Sequence, residues 1–269
     1  MKVRRVVLWG LFILLAAPVS GQTPSGAVTP APTAAQAGSA KVWEGRNAEF
    51  EEFLRKAPFT KVEEVPIGVT RPKRGYFEPG GLAVSAAWKV LPPGRPAGYW
   101  ESYKSEIAAY ELDKLLGLGM VPPVVEKRYK GDLGAAILWL SPVKSWRSAE
   151  PLPKPEKWNR TAVRMKMFDN LICNTDRNAG NLLVDDQWNL YLIDHSRAFI
   201  EDKKLVSTMT RIDPELWDKM LALNEATLSA ALSQWLDRGM IRAILRRRDA
   251  MKVVVAGLVK QWGDAAYVK

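Results

Sequence analysis

The stretch from Asp176 to Asp194 constrains the fold of this chain more than any other part of its sequence. It begins Asp176-Arg177-Asn178-Ala179-Gly180-Asn181 and continues with two short apolar runs, Leu182 to Val184 and Leu190 to Asp194, on either side of Asp185-Asp186-Gln187. Apolar runs flanking an Asp-rich turn predict a hairpin. Asp176 and Asn181 stand five residues apart, and Asp194 closes the hairpin eighteen residues after Asp176. The chain has one cysteine, Cys173, and one histidine, His195, so a zinc site of His and Cys ligands is excluded, as is an intramolecular disulfide. Any metal has to be held by oxygen, which favours magnesium or manganese. Cys173 falls in a predicted helix with Phe168 and Ile172 and is read as core.

The rest of the chain changes character near its middle. Trp43 to Lys56 carries Phe50, Phe53 and Leu54 at helical spacing, and a strand is predicted near Val62 to Val69. Gly68, Pro72, Gly75, Pro79, Gly80 and Gly81 then punctuate a hairpin-like stretch that leads into a strand from Leu82 to Leu91. One face of that strand is Ala83, Ser85, Ala87, Lys89 and Leu91: small residues that leave room for a planar ligand, with an ammonium at one end. Ser102 to Leu118 predicts a helix ending at Gly117 and Gly119, and strands follow near Val124 to Tyr129 and Ala135 to Leu140. From Lys157 onward the pattern is mainly helical, and Asp213-Pro214-Glu215 is a helix start. These elements make an α+β protein of two lobes, β-rich over about 41–141 and helical over about 142–269, with a cleft between them.

Two segments precede the folded part. Lys2, Arg4 and Arg5 before the apolar run Val6 to Ala17, with small residues at Val19-Ser20-Gly21, read as an export signal over 1–21. An uncleaved anchor is the alternative. Residues 22–40 hold no charge and no aromatic before Lys41 and read as a disordered linker. The formal charge is +10, and part of it is the run Arg246-Arg247-Arg248, expected as a solvated helix face or a contact to an anionic surface. Without interleaved aromatics the run does not point to nucleic acid.

Met167-Phe168-Asp169-Asn170-Leu171-Ile172-Cys173-Asn174-Thr175-Asp176-Arg177-Asn178-Ala179-Gly180-Asn181, with Leu192-Ile193-Asp194 after it, resembles the catalytic region of the atypical kinase-like superfamily. The branch is the one with type II phosphatidylinositol 4-kinases, the toxin kinase HipA and the Golgi casein kinases. Ser105 through Leu116, Val121-Pro122-Pro123 and Ala87-Trp88-Lys89 are similar to the matching helix and strands of the Golgi casein kinase group. The usual His-Arg-Asp and Asp-Phe-Gly triplets and a Gly-x-Gly-x-x-Gly loop are absent.

The resemblance implies a two-lobed protein-kinase-like fold, an ATP cofactor, and Mg2+ or Mn2+. It implies that Lys89 holds the nucleotide phosphates and is oriented by Glu106, that Asn181 and Asp194 hold metal, and that Asp176 takes the proton of an acceptor hydroxyl. On a helical wheel Glu106 lies nearly opposite the Ala108, Leu112 and Leu115 stripe, so Glu101 and Glu111 stay open as the partner of Lys89. Trp139, in the last strand of the small lobe, is read as core or as a wall of the adenine pocket. Arg177 and Asn174 are expected to brace the loop, and His195 to fill its position without acting as a base. The expected activity is that of an exported kinase acting on a protein hydroxyl. A lipid or sugar acceptor is the runner-up, and a pseudokinase that binds without turnover is the reading from another class.

Overall fold

The computed structural model describes residues 39–66 and 72–269. The expected export signal, nearly all of the linker, Gly68 of the glycine-punctuated stretch and residues 67–69 of the strand predicted near Val62 to Val69 lie outside the described residues. Ala40, assigned to the linker, belongs to the folded part: it is buried and its N–H donates to Asp185 Oδ2 at 3.0 Å.

Helix α1 (Asn47–Lys56) buries Phe50 and Leu54. It starts later than its periodicity suggests because residues 42–45 are in turns, and Trp43 packs instead against Tyr191, with ring centroids 5.8 Å apart. A five-stranded antiparallel sheet follows, made of β1 (Lys61–Glu64), β2 (Lys73–Tyr76), β3 (Ser85–Lys89), β4 (Val124–Tyr129) and β5 (Asp132–Leu138) in the order β1-β2-β3-β5-β4. Alternate residues of its central strands go to two different cores. Ala86, Trp88, Val125, Ala136 and Leu138 join Phe50 and Leu54 of α1, while Val124, Ala135 and Ile137 join the core that contains helix α2 (Tyr103–Leu116). The period of two in strand side chains produces this sorting. It also explains why β3 is buried almost throughout rather than half-exposed.

Helix α2 begins and ends as its sequence signals require. Ser102 Oγ accepts from the Lys104 N–H at 3.0 Å, and Gly117 takes the left-handed conformation at φ 60°. Strand β5 needs a glycine for a different reason. A Cβ on Gly134 would stand 2.3 Å from the carbonyl oxygen of Lys89. Gly134→Ala is therefore expected to destabilise the protein by about 1–3 kcal/mol, read from urea denaturation, because the obstruction is backbone and cannot rotate away.

Beyond the sheet come β6 (Lys144–Ser145), the single turn α3 (Trp146–Ala149) and α4 (Trp158–Ile172). β7 (Leu182–Val184) and β8 (Leu190–Leu192) then form with β6 a three-stranded sheet in the order β6-β7-β8. Helices α5 (Pro214–Leu221), α6 (Glu225–Leu232) and α7 (Arg238–Trp262) complete the chain. α2 contacts both the large sheet and α5 and α6. It is the element on which the two lobes meet.

The Arg246–Arg248 run departs from expectation. Arg247 is fully buried and donates to the carbonyls of Leu171 at 2.8 Å, Ile200 at 2.9 Å and Asp202 at 2.7 Å. Burial pushes its pKa down to about 10. Arg248 turns to the Leu223 carbonyl and to Asp249. Consecutive residues of a helix point about 100° apart, so three adjacent arginines cannot share one face. Only Arg246 is left for a surface role.

Candidate active site

The site forms where the end of β3, one side of α2, and the turns after α4 and β8 meet. Lys89 is the last residue of β3 and is buried. Its Nζ donates to Glu106 Oε1 at 2.7 Å and to Asp194 Oδ1 at 2.8 Å. Burial alone would push the Lys89 ammonium down, but the two carboxylates more than offset it and its pKa is raised. Burial likewise opposes the charge on Glu106, yet Lys89 and the neighbouring His195 hold that carboxyl well below its usual range. Of the three glutamates open as partners for Lys89, the structure selects Glu106, which is 1% exposed. Glu101 pairs with Arg197, and Glu111 with Lys114. The wheel misleads because α2 is covered on nearly every side: Glu106, Leu112 and Asp113 are all buried, whereas Leu115 of the supposed core stripe is 43% exposed.

Asp194 stands two residues beyond the end of β8 and has a positive φ of 61°, and the chain there turns its carboxylate toward Lys89. Ser196 Oγ also donates to Oδ1, at 3.2 Å, while Oδ2 has no partner among the described residues. Asn181 is buried, and its amide nitrogen donates to the Asp176 carbonyl at 2.9 Å. Its Oδ1 is without a partner among the described residues. The Ile193 N–H donates to the Asn181 carbonyl at 3.2 Å, which ties the loop to the residue before Asp194. Asp176 is partly exposed and pairs through Oδ2 with Arg197 Nη1 at 3.2 Å.

Trp139 stands apart from this cluster. It lies just beyond β5, with its N–H on the Ser85 carbonyl at 3.1 Å. That contact extends the β3–β5 register, in which Ala87 opposes Ile137 and Lys89 opposes Ala135. Paired residues share a face, so Ser85, Ala87, Lys89 and Trp139 lie on one side of the sheet. Trp139 is half-buried, and the Arg74 guanidinium sits 4.2 Å from its ring centroid.

Arg177 binds the loop together. It donates from Nε and Nη2 to the two oxygens of buried Asp169, both at 2.9 Å, and from Nη1 to the carbonyls of Asn181 at 3.1 Å and Ile193 at 2.8 Å. Nη2 also lies 2.9 Å from His195 Nε2. Arginine has no acceptor, so Nε2 accepts and the imidazole proton sits on Nδ1, 3.6 Å from Glu106 Oε2. The His195 backbone N–H donates to the same Glu106 oxygen at 2.9 Å. His195 is thus the link between the loop of Asp176 and the glutamate of α2.

Burial lowers the pKa of His195, and its neighbour Arg177 lowers it further, against the opposing pull of Glu106. Below pH about 6.5 the unfolded chain takes up a proton that the folded chain refuses, so the stability present above that value is lost as the pH falls. His195→Gln, which keeps an acceptor for Arg177, is expected to run parallel to the wild type above pH about 6.5. Below it the wild type should lose up to about 1.4 kcal/mol per pH unit relative to the variant in urea titrations. Parallel curves throughout would mean that His195 is not held neutral.

Three residues of the network were given no part by the sequence: Asp169, His195 and Arg197. Arg197 bridges Glu101 at 3.1 Å and Asp176 at 3.2 Å, with its guanidinium 3.8 Å from the ring centroid of Tyr99. A lone basic residue carries no periodic signal. Asp169 and His195 stood inside or beside the informative stretch, but only their depth in the fold marks them.

A β-rich lobe and a helical lobe, with a buried lysine on one bonded to an aspartate on the other, match the layout of a kinase-like cleft. No protein-family model matches the chain, and no curated protein sequence matches it. Solved structures do. A Golgi casein kinase with Mn and ADP bound superposes with a TM-score of 0.64 at 14% identity, over 84% of this chain and 79% of that one. Hydra Fam20, solved with sugar, superposes with a TM-score of 0.65 at 16% identity, over 82% of this chain and 91% of that one. The chain has a two-lobed, kinase-like α+β fold similar to that of these kinases, and the fold is the one the resemblance implied.

Proposed function

We propose that this protein is an exported ATP-dependent kinase that transfers the γ-phosphate to a hydroxyl on a protein. The observation that carries the reading is the buried Lys89–Glu106 pair with Asp194 at 2.8 Å from the same ammonium. A buried ion pair is weak evidence for stability, since desolvation offsets most of its attraction. Its use is to hold a cation ready at one end of the small-residue face that also carries Trp139. Nucleotide phosphates would compete with Asp194 for Lys89, and the purine would lie along Ala87 toward Trp139.

The free oxygens of Asp194 and Asn181 fit a hard divalent cation. Among the described residues no group of three or more His, Cys, Asp or Glu is placed to hold a metal, so a cage made by the protein alone is not what the site offers. Magnesium and manganese suit the smaller set, because magnesium is commonly held by one or two carboxylates together with substrate phosphates. Such an ion would neutralise charge on the phosphates. Asp176 Oδ1, free of partners among the described residues, would take the acceptor proton. The acceptor oxygen would then bond to the γ-phosphorus as the bond between that phosphorus and the β–γ bridging oxygen breaks, and ADP would leave with that oxygen. Export rests on the N-terminal signal pattern.

Labelled ATP with magnesium or manganese, offered separate protein, lipid and sugar acceptors, tests the assignment. Label in protein supports it, label in lipid or sugar alone moves the acceptor class, and label in none favours a binding module.

A further inference from the structure

We propose that the groove between residues 203–205 and α7 is a docking site for an acidic peptide segment of the acceptor protein, an inference that rests on the kinase reading. The groove is open to solvent, has a volume of about 660 Å³, and carries Leu205, Ala250, Val253 and Val254 along its length. Val253 is 75% exposed. Around this apolar strip stand Lys203, Lys204 and Arg246.

Among the described residues none of these cations is paired with a carboxylate. Lys203 and Lys204 form no side-chain hydrogen bond or ion pair among the described residues, and Arg246 reaches only the Glu201 carbonyl, at 3.5 Å. The one carboxylate on the groove, Asp249, is already shared by Arg248 at 2.9 Å and Lys252 at 3.0 Å. Three like charges gathered around exposed apolar surface are unfavourable on both counts, and an occupant with carboxylates flanking an apolar side chain relieves both.

The groove is also preformed. Arg247, one residue from Arg246, fastens the opposite wall to α7 through the carbonyls of Ile200 and Asp202. Residues on the α7 side follow the helical repeat from Arg246 through Ala250 to Val253 and Val254, so they line a single face. Cations stand on both sides of this apolar strip, Lys203 and Lys204 on one and Arg246 on the other, which a narrow chain segment with carboxylates flanking an apolar side chain can match. The wall segment, which is irregular, follows the turn of Asp194 along the chain through Phe199 and Ile200. A docking role for the acceptor accords with that placement.

The test uses the full chain and a fluorescent pool of short acidic peptides with one randomised position. We expect binding that favours an apolar residue at that position and weakens with salt. The triple variant Lys203→Ala, Lys204→Ala, Arg246→Ala should bind about tenfold more weakly, and Val253→Asp should lose binding, with melting temperatures checked to show that both fold. Transfer to a minimal hydroxyl acceptor should be unchanged in both. The proposal is overturned if no peptide is retained, if neither variant matters, or if phosphatidylserine vesicles bind and peptides do not. Nucleotide-dependent melting of the same samples separates the two readings. A shift with ATP but an empty groove defeats docking alone; peptide binding with no nucleotide response defeats the acceptor role and the kinase reading together.

Discussion

Arg177→Ala is expected to lose about 3–5 kcal/mol of stability, the largest effect of any single substitution near the site. The guanidinium satisfies both oxygens of Asp169, two backbone carbonyls and the acceptor nitrogen of His195, and Asp169 is 3% exposed. Alanine leaves a buried carboxylate without its cation and orphans the carbonyls, and each of these separately is costly. Lysine should recover only a part of the loss, because one ammonium cannot span contacts that a planar fork reaches in several directions. Urea denaturation at neutral pH reads the effect. A loss under about 1 kcal/mol would show that the loop is held by its backbone turns and that Arg177 is incidental.

The second large effect concerns turnover. Asp176→Asn keeps the size and the loop geometry but removes the carboxylate, so transfer should fall about 10²-fold or more with nucleotide binding nearly intact. Asp194→Asn removes an anionic ligand and one of the two carboxylates on Lys89 Nζ, so it should weaken metal-dependent nucleotide binding as well as turnover. The contrast between the two variants is more informative than either rate. Normal turnover in Asp176→Asn would reduce Asp176 to a turn residue paired with Arg197, and the proposed mechanism would fail.

The order of elements was legible because each carried its own signal. Ser102 and Gly117 cap α2 as the sequence indicates, Asp213 caps α5 by accepting from the Leu216 N–H at 2.8 Å, and the Asp185 turn joins β7 to β8. What periodicity could not reach was burial on more than one side. α2 is enclosed by the sheet and by two helices, so the apolar stripe stopped marking its inner face, and Glu106 was legible only through the resemblance. Arg247 failed for the same reason: a run of three arginines reads as solvent-facing until the helix is placed, and then one of them must point inward.

The network of Asp169, Arg177, His195 and Glu106 was the least legible part. Its members are separated by up to 89 residues, as between Glu106 and His195, and they meet through hydrogen-bond geometry that no local pattern encodes. The resemblance pointed to Lys89, Glu106, Asp176, Asn181 and Asp194, and Arg177 was expected to brace the loop, but nothing local marked Asp169 as its partner or His195 as the link to Glu106. His195 was read as a filler, yet its two ring nitrogens face different partners and fix its tautomer.

The central claim is that Lys89, Asn181 and Asp194 form a nucleotide and metal site in one cleft. The most direct measurement is the melting temperature of the full chain with ATP and manganese together, against ATP alone and manganese alone. At ligand near 100 times its Kd, binding stabilises by about 2.7 kcal/mol, which predicts a rise of about 5 °C or more for the combination and much less for either component. No rise with the combination, or an equal rise in the Asp194→Asn variant, would contradict the account.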